Sequence, residues 1–166
     1  MLLKLTSLFL VLSLAAASAF ASESPPEAAR LVRLMGDQKL TQDQRDAAAG
    51  SLVKLGKEAI PTLIDSLHDN RVYFPNYATS NAGNGTAVSV NFTVGQECNN
   101  ILMNIVSDGS SNRMIHFRYH ISNWPDWWSR HKDMGLHDIQ RETIQRNNWI
   151  MQSTGQGDSI PRINQP

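Results

Sequence analysis

The chain has 166 residues, with 15 basic and 15 acidic side chains and a formal net charge of zero at neutral pH. This balance provides no general attraction to nucleic acid or anionic lipid, so the composition disfavours both as partners. The single cysteine, Cys98, excludes an internal disulfide, and the fold must therefore be held together by core packing.

The first 21 residues have the three parts of a secretory signal peptide. Lys4 supplies the positive charge, an apolar run covers 8–17, and Ala19-Phe20-Ala21 gives the small-x-small pattern that signal peptidase accepts. The apolar run is shorter than the about 20 residues that a transmembrane helix needs. We predict cleavage after Ala21 and a periplasmic or secreted mature protein without a membrane span. An uncleaved anchor is the alternative.

Residues 22–152 are predicted to form a single domain that opens with three helices. The first begins at 24–27, carries an apolar stripe with helical spacing and ends at Gly36. The second begins at the capping box Thr41-Gln42-Asp43-Gln44 and ends at Gly56. The third follows at once, with Pro61 in its first turn.

The segment 71–92 differs in character from the helices before it. Its first part is aromatic and interrupted by Pro75, and its middle is rich in Asn and Gly. Val88, Val90 and Phe92 alternate with polar residues, which is a period typical of a strand. We predict a long irregular loop, with one short hairpin as the alternative.

Helix signals resume at Thr93, where a second capping box opens a clearly amphipathic helix with Cys98 on its apolar face. We therefore predict that Cys98 is a buried structural thiol. Apolar and polar residues alternate over 115–121, which predicts a strand. A last helix is predicted over 136–149, and the polar tail 153–166 is predicted to be disordered.

Three tryptophans lie at helical spacing near the start of another predicted helix. Trp124, Trp127 and Trp128 follow the 0, 3, 4 spacing of a helix that faces a core. We predict core packing, with Trp127 and Trp128 equal candidates for burial. Stacking on a sugar or a peptide is the alternative.

The segment 31–70 resembles a HEAT repeat. The resemblance depends on "LVKLG" at 52–56 followed by "AIPTLIDSL" at 59–67, and the stretch 93–106 resembles the opening helix of a degenerate further repeat. The stretch 124–136 resembles the Trp-rich ends of some exported bacterial HEAT-like proteins. The resemblance implies an all-α, compact HEAT-like antiparallel helical stack that binds other proteins, and it transfers no catalytic residue.

The aromatic residues after the first three helices are the predicted partner-binding site. Tyr73, Phe74 and Tyr77 lie outside any helical stripe, beside the Asn/Gly-rich stretch that contains Asn84. Aromatic side chains dominate binding hot spots, so these four residues are candidates for partner contact. The alternative is a loop that folds back, so that its aromatic side chains cover the helical core.

No motif of nucleophilic catalysis or phosphate binding is present in the sequence, so we predict no catalytic residue and no cofactor. His116, Arg118 and His120 would share one face of the predicted strand. Two imidazoles at this spacing can ligate a metal, but the sequence supplies no third ligand nearby. We predict a solvated polar face and no metal site, and keep a metal site at His116 and His120 as the alternative.

These patterns favour an exported, non-enzymatic protein-binding module. A concrete version is an immunity or inhibitor protein whose partner is a secreted toxin or hydrolase that degrades the cell wall. A metal-binding protein or metalloenzyme using His116 and His120 is a second hypothesis. A structural envelope protein is a third, and the sequence leaves a homodimer open.

Overall fold

The computed structural model describes residues 26–80, 87–110 and 118–154, and the side chains within these ranges except those of 76–80 and 87–90. In chain order its elements are α1 (Pro26–Met35), α2 (Gln42–Leu55), a 3-10 turn (Gly56–Ala59), α3 (Ile60–Asp65), β1 (Val72–Ser80), β2 (Ala87–Thr93), α4 (Val94–Val106), α5 (Trp124–His131) and α6 (Leu136–Ser153). The described chain is mostly helical, which confirms the predicted all-α class. The predicted signal peptide lies outside the described residues.

Two threonine capping boxes fix the starts of α2 and α4. Thr41 Oγ1 accepts from the Gln44 amide, and Gln44 Oε1 accepts from the Thr41 amide at 2.9 Å. Thr93 and Gln96 form the same reciprocal pair before α4. Each box satisfies backbone donors that a helix start otherwise leaves unpaired, and both predictions are confirmed.

The predicted glycine stops are confirmed as well. α1 ends at Met35, directly before Gly36, and α2 ends at Leu55, directly before Gly56. Gly56 has a φ of 60°, a backbone conformation that favours glycine because a side chain would be strained there. The 3-10 turn then leads into α3, which carries Pro61 in its first turn as predicted.

Arg71 ties the end of α1 to the start of the β-hairpin. Its guanidinium donates to the carbonyls of Val32 and Arg33, and it forms an ion pair with Asp69. A side chain at Gly36 would overlap this guanidinium, so the glycine makes room for it. The hydrogen bond from Arg71 lowers the pKa of Asp69.

Within the segment 71–92 the described residues form two paired strands, so the predicted irregular loop is wrong for 72–80 and 87–92, and the alternative of a hairpin is confirmed there; 81–86 lie outside the described residues. β1 and β2 pair antiparallel, with Val72 opposite Thr93 and Phe74 opposite Phe92. The register shifts twice, between Val72 and Phe74 and between Phe74 and Tyr77. Pro75, which cannot donate to a strand ladder, lies within this shifted stretch, and such bulges accommodate a proline in a strand.

The core is built from one apolar stripe on each helix. α1 packs on α2, and α4 packs on α2, α3 and α6. Cys98 lies fully buried on α4, as predicted, and burial raises its pKa to about 12. The largest contributors to the core include Met35, Leu52, Ile60, Leu63, Ile101, Leu102 and Ile139.

The tryptophans of α5 belong to this core, which confirms the packing prediction. Trp124 and Trp127 are buried and meet edge to face, with ring centroids 5.4 Å apart. Trp128 is half-buried, so Trp127 is the more deeply packed of the two candidates. His131 stacks on Trp127 at 4.3 Å between centroids and completes the cluster.

The strand predicted over 115–121 is wrong for 118–121, and 115–117 lie outside the described residues. The backbone amides of Arg118 and Tyr119 donate to Oδ1 of the buried Asn147 on α6, at 2.7 and 3.2 Å. One side-chain carbonyl thus replaces a strand partner for these amides. α6 extends beyond its predicted end to Ser153, and 155–166 of the predicted tail are outside the described part of the chain.

Candidate functional site

A groove of about 380 Å³ lies between α2 and α4, with Tyr73 of β1 beside it. Each helix lines it with four residues at the same 0, 3, 4, 7 spacing, which is one face of a helix. α2 contributes Asp46, Ala49, Gly50 and Val53; α4 contributes Glu97, Asn100, Ile101 and Asn104. Two matched helical faces therefore lie opposite each other without closing the space between them.

The groove is lined by apolar residues, most of them buried, and by more exposed polar groups. Ala49, Val53 and Ile101 supply the apolar surface, and the carboxylates and carboxamides supply the polar one. No Lys, Arg or His is among the described residues that line the groove. The surface therefore has an acidic character within a chain of balanced charge.

Tyr73 orients the carboxylate of Asp46, one of the two carboxylates that line the groove. It is only 6% exposed, and its hydroxyl donates to Asp46 Oδ1 at 2.6 Å. Gln42 Nε2 donates to the same oxygen at 2.6 Å over one turn of α2. Burial, and then the hydrogen bond to Asp46, raise the pKa of Tyr73, so the phenol stays protonated and remains a donor.

Glu97 is the second carboxylate and lies on the opposite wall. Asn100 Nδ2 donates to its Oε2 at 3.1 Å. Burial raises the pKa of Glu97 above its usual value, and the negative charge of Asp46 raises it further. The folded state thus disfavours the ionised form of Glu97, and a cation bound at the groove would stabilise that form.

Two further grooves continue this surface along α4. One shares Asn100 and is lined by Phe92, Ile121 and Trp124 among others, with a volume of about 450 Å³. The other shares Asn104 and has a volume of about 200 Å³. The outward side of α4 is therefore a continuous surface rich in carboxamides, with side chains that include Gln96, Asn99, Asn100 and Asn104.

The structure separates the four residues of the predicted partner-binding site. Tyr73 is buried, because successive residues of a strand point to opposite faces and its face meets α2 and α4. Tyr73 therefore covers the helical core, as in the alternative, and its contact with a partner stays a prediction. Phe74 is 41% exposed. The side chain of Tyr77 and all of Asn84 lie outside the described residues.

Sequence reasoning did not identify the residues of the α2–α4 groove. The signal was present as two stripes, 46–53 and 97–104, with the same spacing. Each stripe mixes polar and apolar residues, however, and a mixed stripe on a single helix resembles an ordinary solvated face. Only the packing of α4 on α2 brings the two stripes together.

The described residues of the predicted histidine face, Arg118 and His120, are not part of a metal site. His116 lies outside the described residues, whereas Arg118 and His120 are exposed. Among the described residues, no three His, Cys, Asp or Glu side chains are placed to hold a metal ion. In the same ranges, no helix is both long and apolar enough to cross a membrane.

Comparison with family models, curated proteins and solved structures finds no match to this chain.

Proposed function

We propose that this protein is an exported, non-enzymatic protein-binding module whose binding surface is the α2–α4 groove. The observation that carries the proposal is the pair of matched helical faces around an open space. An apolar centre within a polar rim is the usual anatomy of a protein interface. Ala49, Val53 and Ile101 supply such a centre, and Asp46, Glu97 and the Asn side chains supply the rim.

The proposal includes a HEAT-like stack as the scaffold. In support of it, α2 and α3 occupy the two helical positions of the segment that resembles a HEAT repeat, with Gly56 at the end of the first helix and Pro61 in the second. α4 packs on both helices, as the first helix of a following repeat would.

The β-hairpin is proposed as a second contact with the partner. Tyr73 joins the hairpin to the groove, and Phe74 offers an exposed ring on the neighbouring position. Replacing Phe74 by Ala tests this contact without removing a buried side chain. We expect weaker partner binding, measured at a temperature at which circular dichroism shows the variant to be folded. Unchanged binding would confine the interface to the groove.

Export is proposed from the signal-peptide pattern at the start of the chain. The test is mass spectrometry of the full-length protein after expression in a bacterium with a periplasm. We expect the mature protein to begin at Ser22 and to be recovered from the periplasmic fraction. Recovery of the uncleaved chain from the membrane fraction would instead support an anchor.

We propose a secreted toxin or hydrolase that degrades the cell wall as the partner, with this protein as its immunity protein or inhibitor. The test is affinity capture from the native envelope fraction with the mature protein. Gly50→Trp fills the groove from an open position, whereas Gly50→Ala adds a single methyl group there. We expect one dominant hydrolase on the wild type, less of it on Gly50→Ala, and none on Gly50→Trp. A partner that Gly50→Trp retains would show that the groove is not the binding surface.

A further inference from the structure

Gly50 is an exposed glycine in the interior of α2, and nothing in the described fold requires it. Apart from its chain neighbours and the backbone of its own helix, a side-chain carbon at this position would meet no heavy atom of the described residues within 4 Å, and the backbone is not in the left-handed region. Glycine is a poor helix former, so the position carries a cost without a packing reason. Because Gly50 has no side chain, it leaves the α2–α4 groove open at this position.

The charges on the two walls identify the chemistry that the groove complements. Asp46 and Glu97 lie on opposite walls, and the described lining contains no basic side chain. Both hydrogen bonds described for Asp46 end on Oδ1. Lys and Arg combine a long apolar stem, which suits the apolar centre, with a cationic head for the carboxylates. Arg adds several donors in a planar array.

The carboxamides along α4 suit the backbone of an extended peptide. A carboxamide offers both a donor and an acceptor, as a peptide group does. The Gln96 and Asn99 oxygens already accept from Thr93 and Trp124, so these two side chains offer the partner their N–H donors, whereas Asn100, which donates to Glu97, offers its oxygen as an acceptor. The surface from Gln96 to Asn104 spans about 12 Å at the rise of an α-helix. A strand-like segment covers this length with about four residues.

We propose that the groove binds an extended segment of the partner protein, which passes over Gly50 and inserts one Lys or Arg side chain between Asp46 and Glu97. This inference rests on the proposed function, because it names the part of the partner that the same surface binds. In this proposal, the missing side chain of Gly50 lets the partner approach the helix closely, and Asp46 and Glu97 together bind one cationic side chain.

The first test uses defined peptides and the full mature chain. Three pentapeptides of glycine and serine carry Arg, Gln or Glu at the centre, and ¹H–¹⁵N spectra report their binding. We expect the Arg peptide alone to shift the amides of Asp46, Gly50 and Glu97. Glu97→Gln should weaken this binding at least fivefold, whereas Glu58→Gln removes an exposed carboxylate outside the groove and should leave it unchanged. Equal shifts with the Glu peptide, or equal losses in both variants, would overturn the proposal.

The second test separates this inference from the proposed function. The captured partner is titrated against the wild type, Gly50→Trp, and the double variant Asp46→Asn with Glu97→Gln. We expect both variants to lose at least tenfold in affinity. If Gly50→Trp alone loses binding, the groove is the interface but recognition of a cation is wrong. If Gly50→Trp binds normally, the proposed function itself fails at this surface.

Discussion

Two helical glycines in this chain should respond in opposite ways to the same substitution. Gly50 lies in α2 with open space around it, whereas Gly95 lies in the first turn of α4 against the segment that follows α3. Alanine is the better helix former by roughly 0.5–1 kcal/mol in a helix interior. On propensity alone, both substitutions should stabilise the protein.

The surroundings of Gly95 reverse that expectation. A side-chain carbon there would overlap the Leu67 carbonyl group, whose carbon would lie 2.8 Å away. The obstacle is a backbone carbonyl group, so it cannot rotate aside as a side chain would. The Gly95 amide also donates to the backbone carbonyl of Asp69 at 2.9 Å, which holds the two segments together. Overpacking of this kind costs typically 1–3 kcal/mol. An overlap this close with backbone lies at the upper end of that range, about 3 kcal/mol, so after a gain in propensity of up to about 1 kcal/mol we expect Gly95→Ala to lose about 2 kcal/mol, and Gly50→Ala to gain up to about 1 kcal/mol.

Urea and thermal unfolding followed by circular dichroism at 222 nm measure both free energies. At about 3 °C per kcal/mol for a domain of this size, Gly50→Ala should melt up to about 3 °C higher and Gly95→Ala about 6 °C lower. The wild type and the two variants should share one m-value, because the exposed surface on unfolding does not change. Equal stability of the two variants would refute the packing of Gly95 on Leu67, and a loss at Gly50 would refute its open surroundings.

Three further substitutions test the groove and its frame by the same unfolding assay. Tyr73→Phe removes the hydrogen bond to Asp46 and should cost about 1 kcal/mol, and no loss would mean that the bond is not formed. Thr93→Ala breaks the capping box of α4 and should also cost about 1 kcal/mol, whereas Thr93→Ser should restore most of it. Burial raises the pKa of Glu97 in the folded state, so stability falls as pH rises from its usual pKa through the raised one. Glu97→Gln should therefore raise the melting temperature more at pH 7 than at pH 4, and the reverse order would contradict the burial of this carboxylate.

The helix boundaries could be predicted from the sequence because their causes are local. A capping box is a reciprocal pair of hydrogen bonds three residues apart, and Thr41 and Thr93 form it from their own neighbours. Gly56 ends α2 because its own φ angle is positive, a conformation that favours glycine. The apolar stripes of α1 and α4 likewise depend only on the helical period.

The hairpin and the groove could not be predicted in this way because they depend on distant residues. Pro75 is a strand breaker by itself, and it is tolerated only because the pairing of β1 with β2 shifts around it. The hydroxyl of the buried Tyr73 donates to Asp46, which precedes it by 27 residues. Aromatic residues beside a proline resemble an exposed loop until the helices against which they pack are in place.

The proposed binding at the groove accounts for two features by which this sequence weakens its own fold. Gly50 lowers the helix stability of α2, and Glu97 places a carboxylate where burial disfavours its charge. Local choices that contradict the fold are expected where a protein binds or reacts. A ligand that binds only the folded state at 100 times its Kd adds about 2.7 kcal/mol, which exceeds the gain expected from Gly50→Ala. The wild type in its complex should therefore be more stable than free Gly50→Ala, so that binding restores what the open groove costs.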